Sequence, residues 1–372
     1  MICKTSHWPG RTRLIPRDHW KRIFAAMLVV AVFAAPAAAL DTDPLNDSQA
    51  TADPLPLLLP GTAVSNPASL AAPDNDVDFF SVPLAVGEVL LGMTTPITNL
   101  PDVFDTPDTM ASVLSGGVQQ TFSDDDGADE LPDASNRGSL FRFQPPATGL
   151  FHIGVTGFDD FEFDGAGGAF SHTETGDYIL TAGRVNPAVL GGGFLDTDPT
   201  NDTMAGADLM PLVGGTALVA VNELNEDVDF YQLTLLQGQI LSAMTAPLDG
   251  LPDHFDFPDT MLALFDSAGT LLVDNDDAGD SGGSDVFPDL DSDNPTESDI
   301  FGSGLRALIP ADGTYFLGVT GFGDDAFIGD HTESGRYALL VGLEPVPEPG
   351  SLALAALGLA GLAVVARRRQ SA

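Results

Sequence analysis

Two acidic loops contain the residues whose types and spacing suit chemistry. Asp124-Asp125-Asp126-Gly127-Ala128-Asp129 follows one strand-like stretch, and Asp274-Asn275-Asp276-Asp277-Ala278-Gly279-Asp280 follows another. Two carboxylates about 4 Å apart repel by roughly 4 kcal/mol at an effective dielectric of 20, so a cation or open solvent must relieve such a cluster. Calcium takes about 6–8 oxygens from flexible loops, and Asp and Asn beside Gly turns suit it. Neither loop is an EF-hand, because the spacing fails and no bidentate Glu closes it. The candidate ligands are Asp124, Asp125, Asp126, Asp129, Asp274, Asp276, Asp277 and Asp280, with Ca2+ as the cofactor they would hold. The alternative is a solvated acidic loop in an acidic protein.

Other polar sets carry weaker signals. Asp76/Asp78 and Asp227/Asp229 precede strands, either as ligands or, by preference, pinning the strand starts through backbone N–H groups. His172 and His331 each stand before Thr-Glu. A zinc site needs three or four ligands, and neither copy has a Cys or a second nearby His, so a backbone-bonded turn histidine is expected. Asp159-Asp160 and Asp324-Asp325 lie in the loop before that histidine. No Gly-x-Ser-x-Gly elbow, His-Glu-x-x-His or phosphate loop is present. The expectation is that the protein is not an enzyme, because two similar copies in tandem rarely form active sites.

The elements that must position these residues occur twice. Asp76-Val77-Asp78-Phe79-Phe80 recurs as Asp227-Val228-Asp229-Phe230-Tyr231, each leading into a period-2 strand with one apolar face. Leu40-Asp41-Thr42-Asp43-Pro44 recurs as Leu195-Asp196-Thr197-Asp198-Pro199, and Pro107-Asp108-Thr109-Met110 as Pro258-Asp259-Thr260-Met261. Val155-Thr156-Gly157-Phe158 recurs as Val319-Thr320-Gly321-Phe322, and His172-Thr173-Glu174 as His331-Thr332-Glu333. Such repetition marks two copies of one domain, at 40–185 and 195–344, joined by a Gly-rich linker at 186–194. Seven or so short strands per copy, separated by turn residues, predict an all-β fold of two tandem β-sandwiches of jelly-roll type.

The second copy orders its motifs as an Asp-x-Asp-Phe strand, a Gly turn, a Met-x-x-x-Phe-x-x-x-Gly hairpin, Asp276-Asp277, Ala311-Asp312-Gly313-Thr314-Tyr315 and a final Gly-x-Tyr-x-Leu. This order resembles the bacterial pre-peptidase C-terminal domain, and Asn201 to Asp208 resembles that family's opening. The first copy departs at the hairpin, where Ser115-Gly116-Gly117 replaces the longer turn. The resemblance implies a β-sandwich and either calcium binding or a part in secretion and surface binding.

Residues 1–39 read as a signal peptide: Lys21 and Arg22, the apolar run Ile23 to Ala35, then Ala37-Ala38-Ala39 for cleavage. Residues 345–372 hold Pro347-Glu348-Pro349, an apolar run at 351–366, and Arg367-Arg368-Arg369. As a transmembrane helix that run spans roughly 24 Å against a ~30 Å hydrocarbon core, with the arginines on the positive-inside flank. The tail resembles a PEP-CTERM sorting signal. That resemblance implies processing by an exosortase-type membrane protease and a Gram-negative bacterium that makes exopolysaccharide. It also implies a membrane tether before cleavage.

Charge narrows the partners. The formal net charge is -40, and only Arg137, Arg142, Arg184, Arg306 and Arg336 carry positive charge between the signal and the tail. Phosphate binding needs Lys and Arg, so nucleic acid is excluded as a partner. The single cysteine, Cys3, lies in the signal, so no disulfide is expected in the mature chain. The expected role is that of an exported envelope or exopolysaccharide-matrix protein. An adhesin using Phe158, Phe161 and Phe322 against polysaccharide, or a hydrolase accessory, are the alternatives.

Overall fold

The computed structural model describes residues 41–42, 45–57, 59–71, 76–125, 128–132, 137–164, 172–251, 257–276, 278 and 302–345. The signal peptide, the transmembrane run and the Pro347-Glu348-Pro349 triplet lie outside them, as do Asp126, Asp277 and Asp280. Among the described residues there is no helix.

The first copy holds β1 (Asp53–Pro54), β2 (Thr62–Leu70), β3 (Asp78–Leu84), β4 (Val89–Pro96), β5 (Thr109–Ser115), β6 (Val118–Asp124), β7 (Asp129–Leu131), β8 (Leu140–Phe143), β9 (Gly149–Gly157) and β10 (Gly176–Val185). The connection contributes β11 (Gly191–Gly192). The second copy holds β12 (Asp208–Leu209), β13 (Thr216–Asn225), β14 (Asp229–Leu235), β15 (Gln239–Pro247), β16 (Thr260–Asp266), β17 (Leu271–Asn275), β18 (Gly304–Leu308), β19 (Gly313–Gly321) and β20 (Ser334–Pro345).

Each copy is a two-sheet sandwich. The first pairs a β1-β3-β9-β5-β6 sheet with a β2-β10-β4-β8 sheet; the second pairs β12-β14-β19-β16-β17 with β11-β13-β20-β15-β18-β7. Alternation fills each core. Phe80, Val82 and Leu84 of β3 meet Leu180 and Ala182 of β10, and Tyr231, Leu233 and Leu235 of β14 meet Leu339 and Val341 of β20. Strands β2 and β13 were not foreseen, because Ser65, Asn66, Asn222 and Glu223 interrupt their apolar pattern. As an edge strand, β2 tolerates Pro67 without losing an interior ladder bond.

The two sandwiches are not beads on a tether. Val89, Leu91 and Met93 of β4, with Val185, pack against Val219, Val221, Met244, Ala338 and Leu340 of the second copy. The two inner sheets are therefore buried on both faces, which makes a four-layer stack. Strand β7 crosses from the first copy and pairs in parallel with β18, in the register Leu305↔Asp129, Arg306↔Glu130 and Ala307↔Leu131. Within 186–194, β11 pairs with β13 and Phe194 enters the second core, so the connection is anchored at its far end.

Polar groups fasten the same interface. Arg306 is fully buried; its Nε and Nη2 donate to the Thr94 carbonyl at 3.0 and 2.6 Å, and its Nη1 donates to Glu130 Oε1 at 3.3 Å. The Thr95 and Ser242 hydroxyls meet at 2.8 Å.

Candidate functional site

Two acidic groups stand at loops beside the duplicated strands, at a different place in each copy. In the first copy Asp108 immediately precedes β5, Asp124 ends β6, and Asp125 follows in a left-handed conformation at φ 50°. These three carboxylates each offer an oxygen, and the three oxygens lie within 4.8 Å of one another. Asp108 is 5% exposed and its Oδ1 has no hydrogen-bond partner. Arg137 pairs with its other oxygen. Burial pushes the Asp108 carboxyl up to about 6, against the pull of Arg137 and with a further push from Asp125 and Glu174.

A second group lies in the second copy, where Asp198, Asp202 and Asp227 bring carboxylate oxygens within the same 4.8 Å. Asn225 donates to Asp198 through Nδ2 and to Asp227 through its backbone N–H. Asp202 Oδ1 is buried without a hydrogen bond. Among the described residues, none of the ion pairs involving an arginine reaches this group. Burial raises the Asp227 carboxyl, and Asp198 and Asp202 raise it further. Nearby Asp196 is pushed up to about 6, mainly by burial.

The sequence candidates among the described residues are dispersed. Asp124 and Asp125 join Asp108. Asp129 lies in β7, where its Oδ2 accepts from Asn275 Nδ2 of the other copy at 3.2 Å. Asp274 lies within β17, opposite Ala263. Strand register aligns the loops differently from their spelling. Ala111 faces Ser123 and Leu262 faces Asn275, so Asp124 corresponds to Asp276, not to Asp274. Ser123 Oγ and Asn275 Oδ1 accordingly accept the same N–H, that of Leu140 and of Gly304. Asp126, Asp277 and Asp280 lie outside the described residues.

Asp108, Asp198 and Asp202 were missed. All three belong to motifs repeated in both copies, Pro-Asp-Thr-Met, Asp-Thr-Asp-Pro and Asn-Asp, at positions no strand pattern requires. That was the available signal.

The Asp-x-Asp pairs divide their work. The outer acids hold backbone: Asp76 accepts from the Ala71 N–H and Asp227 from that of Asn225. The inner acids enter the core. Asp78 accepts from Asn46 Nδ2 at 3.0 Å and the Tyr178 hydroxyl at 2.7 Å; Asp229 accepts from Asn201 Nδ2 at 3.1 Å and the Tyr337 hydroxyl at 2.6 Å. The backbone carbonyls of Asn46 and Asn201 take the N–H groups of Phe79 and Phe230, so each opening segment is tied to its strand twice.

The histidines brace this corner. His172 Nε2 donates to the Asp76 carbonyl at 2.9 Å, and His331 Nε2 donates to that of Asp227 at 2.7 Å. Glu333 N–H donates to His331 Nδ1, which fixes Nε2 as the protonated nitrogen. Each ring lies over a glycine. A Cβ at Gly157 or Gly321 would stand 2.3 Å from Nδ1 of His172 or His331, so the repeated Val-Thr-Gly needs its Gly for close approach. Asp160 and Asp324 accept from Thr156 and Thr320, closing the loops that carry Phe158 and Phe322.

The PEP-CTERM protein-sorting motif matches residues 345–369. The bacterial pre-peptidase C-terminal domain matches residues 227–321, within the second copy. No curated protein matches the chain. Among solved structures, the periplasmic g-type lysozyme inhibitor PliG of Aeromonas hydrophila is 12% identical. It covers 34% of this chain and 86% of its own, with a TM-score of 0.21. The tandem CBM51 modules of a family 98 glycoside hydrolase from Streptococcus pneumoniae are 11% identical over 76% of this chain and 84% of theirs, with a TM-score of 0.20.

Proposed function

This chain carries a PEP-CTERM sorting motif and a bacterial pre-peptidase C-terminal domain, and on that premise we propose a non-catalytic protein of the cell envelope or exopolysaccharide matrix whose sandwiches are supported by calcium. The sorting motif implies processing by an exosortase-type membrane enzyme and export to the surface of a Gram-negative bacterium. The motif carries the location; the Asp198–Asp202–Asp227 group carries the calcium reading.

The donor chemistry fits. Two oxygens bound to one calcium at ~2.4 Å can be no more than ~4.8 Å apart. Each three-acid group meets that limit. The second fits better, because Arg137 already neutralises part of the first. Calcium at about 100 times its Kd adds ~2.7 kcal/mol per site. Calcium titration by calorimetry and thermal melting is expected to show binding and a raised Tm. Asp202→Asn with Asp227→Asn is expected to remove the second group's share of the rise. No Tm rise at millimolar calcium and no loss on chelation would sink the calcium reading.

A second reading is favoured by one observation: Phe158 and Phe322 occupy the same loop position in both copies and are 41% and 57% exposed. Phe161 meets Phe158 edge-on at 6.2 Å. Such aromatic surfaces suit a polysaccharide-binding adhesin. Under that reading Phe322→Ala reduces retention in a polysaccharide pull-down; unchanged retention argues against the contact.

A further inference from the structure

The first acidic group differs from the second in holding a cation of its own. The Asp108, Asp124 and Asp125 carboxylates each bring an oxygen within 4.8 Å of the others, and the Arg137 guanidinium pairs with Asp108 Oδ2. The negative charge of Asp108, with smaller pushes from Asp125 and Asp105, raises the guanidinium above its usual range.

The two members of this pair are fixed to different degrees. Asp108 is buried, its carbonyl accepts the Phe158 N–H at 3.0 Å, and its own N–H donates to Glu174 Oε2 at 3.1 Å. Asp124 is held by strand register opposite Met110. The Arg137 side chain, by contrast, is 48% exposed. Its carbonyl accepts the Thr109 N–H at 3.0 Å, so the backbone stays anchored to β5 when the guanidinium moves. A long side chain on an anchored backbone reaches solvent by rotation about its own torsions.

A carboxylate taken out of water needs a counter-charge. Arg137 supplies it to one oxygen of Asp108; the other, Oδ1, is buried without a hydrogen bond and offers a cation a ligand that nothing else uses. A divalent ion brings twice the charge of a guanidinium and binds several oxygens at once. Two cations at this range repel one another, so they compete for the group. The motif Arg137-Gly138-Ser139 recurs in the second copy as Phe301-Gly302-Ser303, with no basic residue at that position.

We propose that Arg137 is a displaceable counter-ion for a calcium site at Asp108, Asp124 and Asp125. Without calcium the guanidinium compensates Asp108 and the first copy keeps its loops in place. With calcium the ion takes Asp108 and the guanidinium turns to solvent. The proposal rests on the calcium reading and gives it an asymmetry. The first group exchanges one cation for another and binds calcium the more weakly; among the described residues, no arginine ion pair reaches Asp198, Asp202 or Asp227. Loss of calcium therefore disturbs the second copy before the first.

The test uses the full chain carrying Asp202→Asn and Asp227→Asn, so that of the two groups only the first reports, with calcium alone as the titrant. Arg137→Gln is expected to tighten calcium binding by about fivefold in calorimetry, the size of an exposed ion pair removed from competition. Arg137→Lys keeps the charge and is expected to bind as the Arg137 chain does. A second measurement uses melting of Arg137→Gln in the otherwise wild-type chain. In chelator it is expected to melt below the wild type, and saturating calcium narrows the gap. Calcium binding of equal affinity with Arg, Lys and Gln, or equal melting in chelator, overturns the counter-ion and leaves the calcium reading standing. Weaker binding in Arg137→Gln also overturns it, by making the arginine a support of the site. No binding at the first group with any of the three overturns the proposal; no binding in the otherwise wild-type chain overturns the calcium reading with it.

Discussion

Arg306→Ala is expected to destabilise the protein by about 3–5 kcal/mol, the cost of removing one partner of a buried ion pair. The guanidinium is fully buried between the two copies and has Glu130 and the Thr94 carbonyl as partners, both from the first copy. Its loss removes a donor from a buried carboxylate and a carbonyl inside the stack and loosens the β7–β18 pairing that spans the interface. Arg306→Met combined with Glu130→Leu is expected to cost less than either single change, since an apolar pair of similar volume replaces the ion pair without an orphaned charge. Urea unfolding of the wild type and the three variants measures this. Because the inner sheets share one core, the wild type is expected to unfold in a single transition. Two separate transitions, or variants as stable as the wild type, would contradict the four-layer body.

The second large effect concerns Asp229. Its carboxyl is 1% exposed and hydrogen-bonded by Tyr337 and Asn201. Burial holds it well above the usual carboxylate range, and the charges of Asp196 and Asp227 push it further, while the two hydrogen bonds pull back. Removing a donor from this buried acceptor, as in Tyr337→Phe, is expected to cost about 1–3 kcal/mol. The pH dependence has a definite sign. The folded-state pKa is raised above its unfolded value, so the contribution is fully present below ~3.9 and is lost as pH rises through the folded value. Wild-type stability, measured without calcium, is therefore expected to fall with rising pH across that window. Asp229→Asn removes this group's share of the slope, and the variant gains on the wild type as pH rises. Asn201 Oδ1, buried and without a hydrogen bond, can accept from the new amide if the Asn201 side chain turns over. Asp78 sits in the same arrangement with Tyr178 and Asn46, so Asp78→Asn with Asp229→Asn is the stronger form of the test. Parallel melting curves from pH 4 to 8 decide it; equal slopes in all variants would show that these acids are not the source.

Much of the architecture was legible because it depends on local pattern. The alternation in Phe230–Leu235 places one face on a core, and the tandem spelling of Asp-x-Asp-Phe, Pro-Asp-Thr-Met and Val-Thr-Gly-Phe reveals two similar domains. The run Tyr337 to Leu343 is apolar without alternation, the mark of a strand buried on both faces, and β20 is indeed covered on both. Val89 to Met93 in β4 reads the same way, with Leu90 in its own sandwich core and Val89, Leu91 and Met93 in the inner one.

The acidic groups were only half legible. Asp124 and Asp125 stand out because they adjoin one another, and adjacency in the chain is visible. Asp108 joins them only through the β5–β6 pairing, and Asp198 and Asp202 meet Asp227 only because Asn201 ties the opening segment to β14. The loop spellings also invite the wrong alignment of Asp124 with Asp274; cross-strand register places Asp124 level with Asp276, two residues further on, and two acidic runs do not show that offset.

The sequence by itself determined fold class, duplication, acidity and the sorting tail, because strand periodicity, motif repetition and short signals are properties of neighbouring residues. Only the tertiary structure decided which carboxylates converge, that β7 belongs to the other copy's sheet, and that the sorting signal begins where a strand ends. These follow from register and packing between segments far apart in the chain. Neither length nor composition encodes which partner a strand edge or a buried arginine will find.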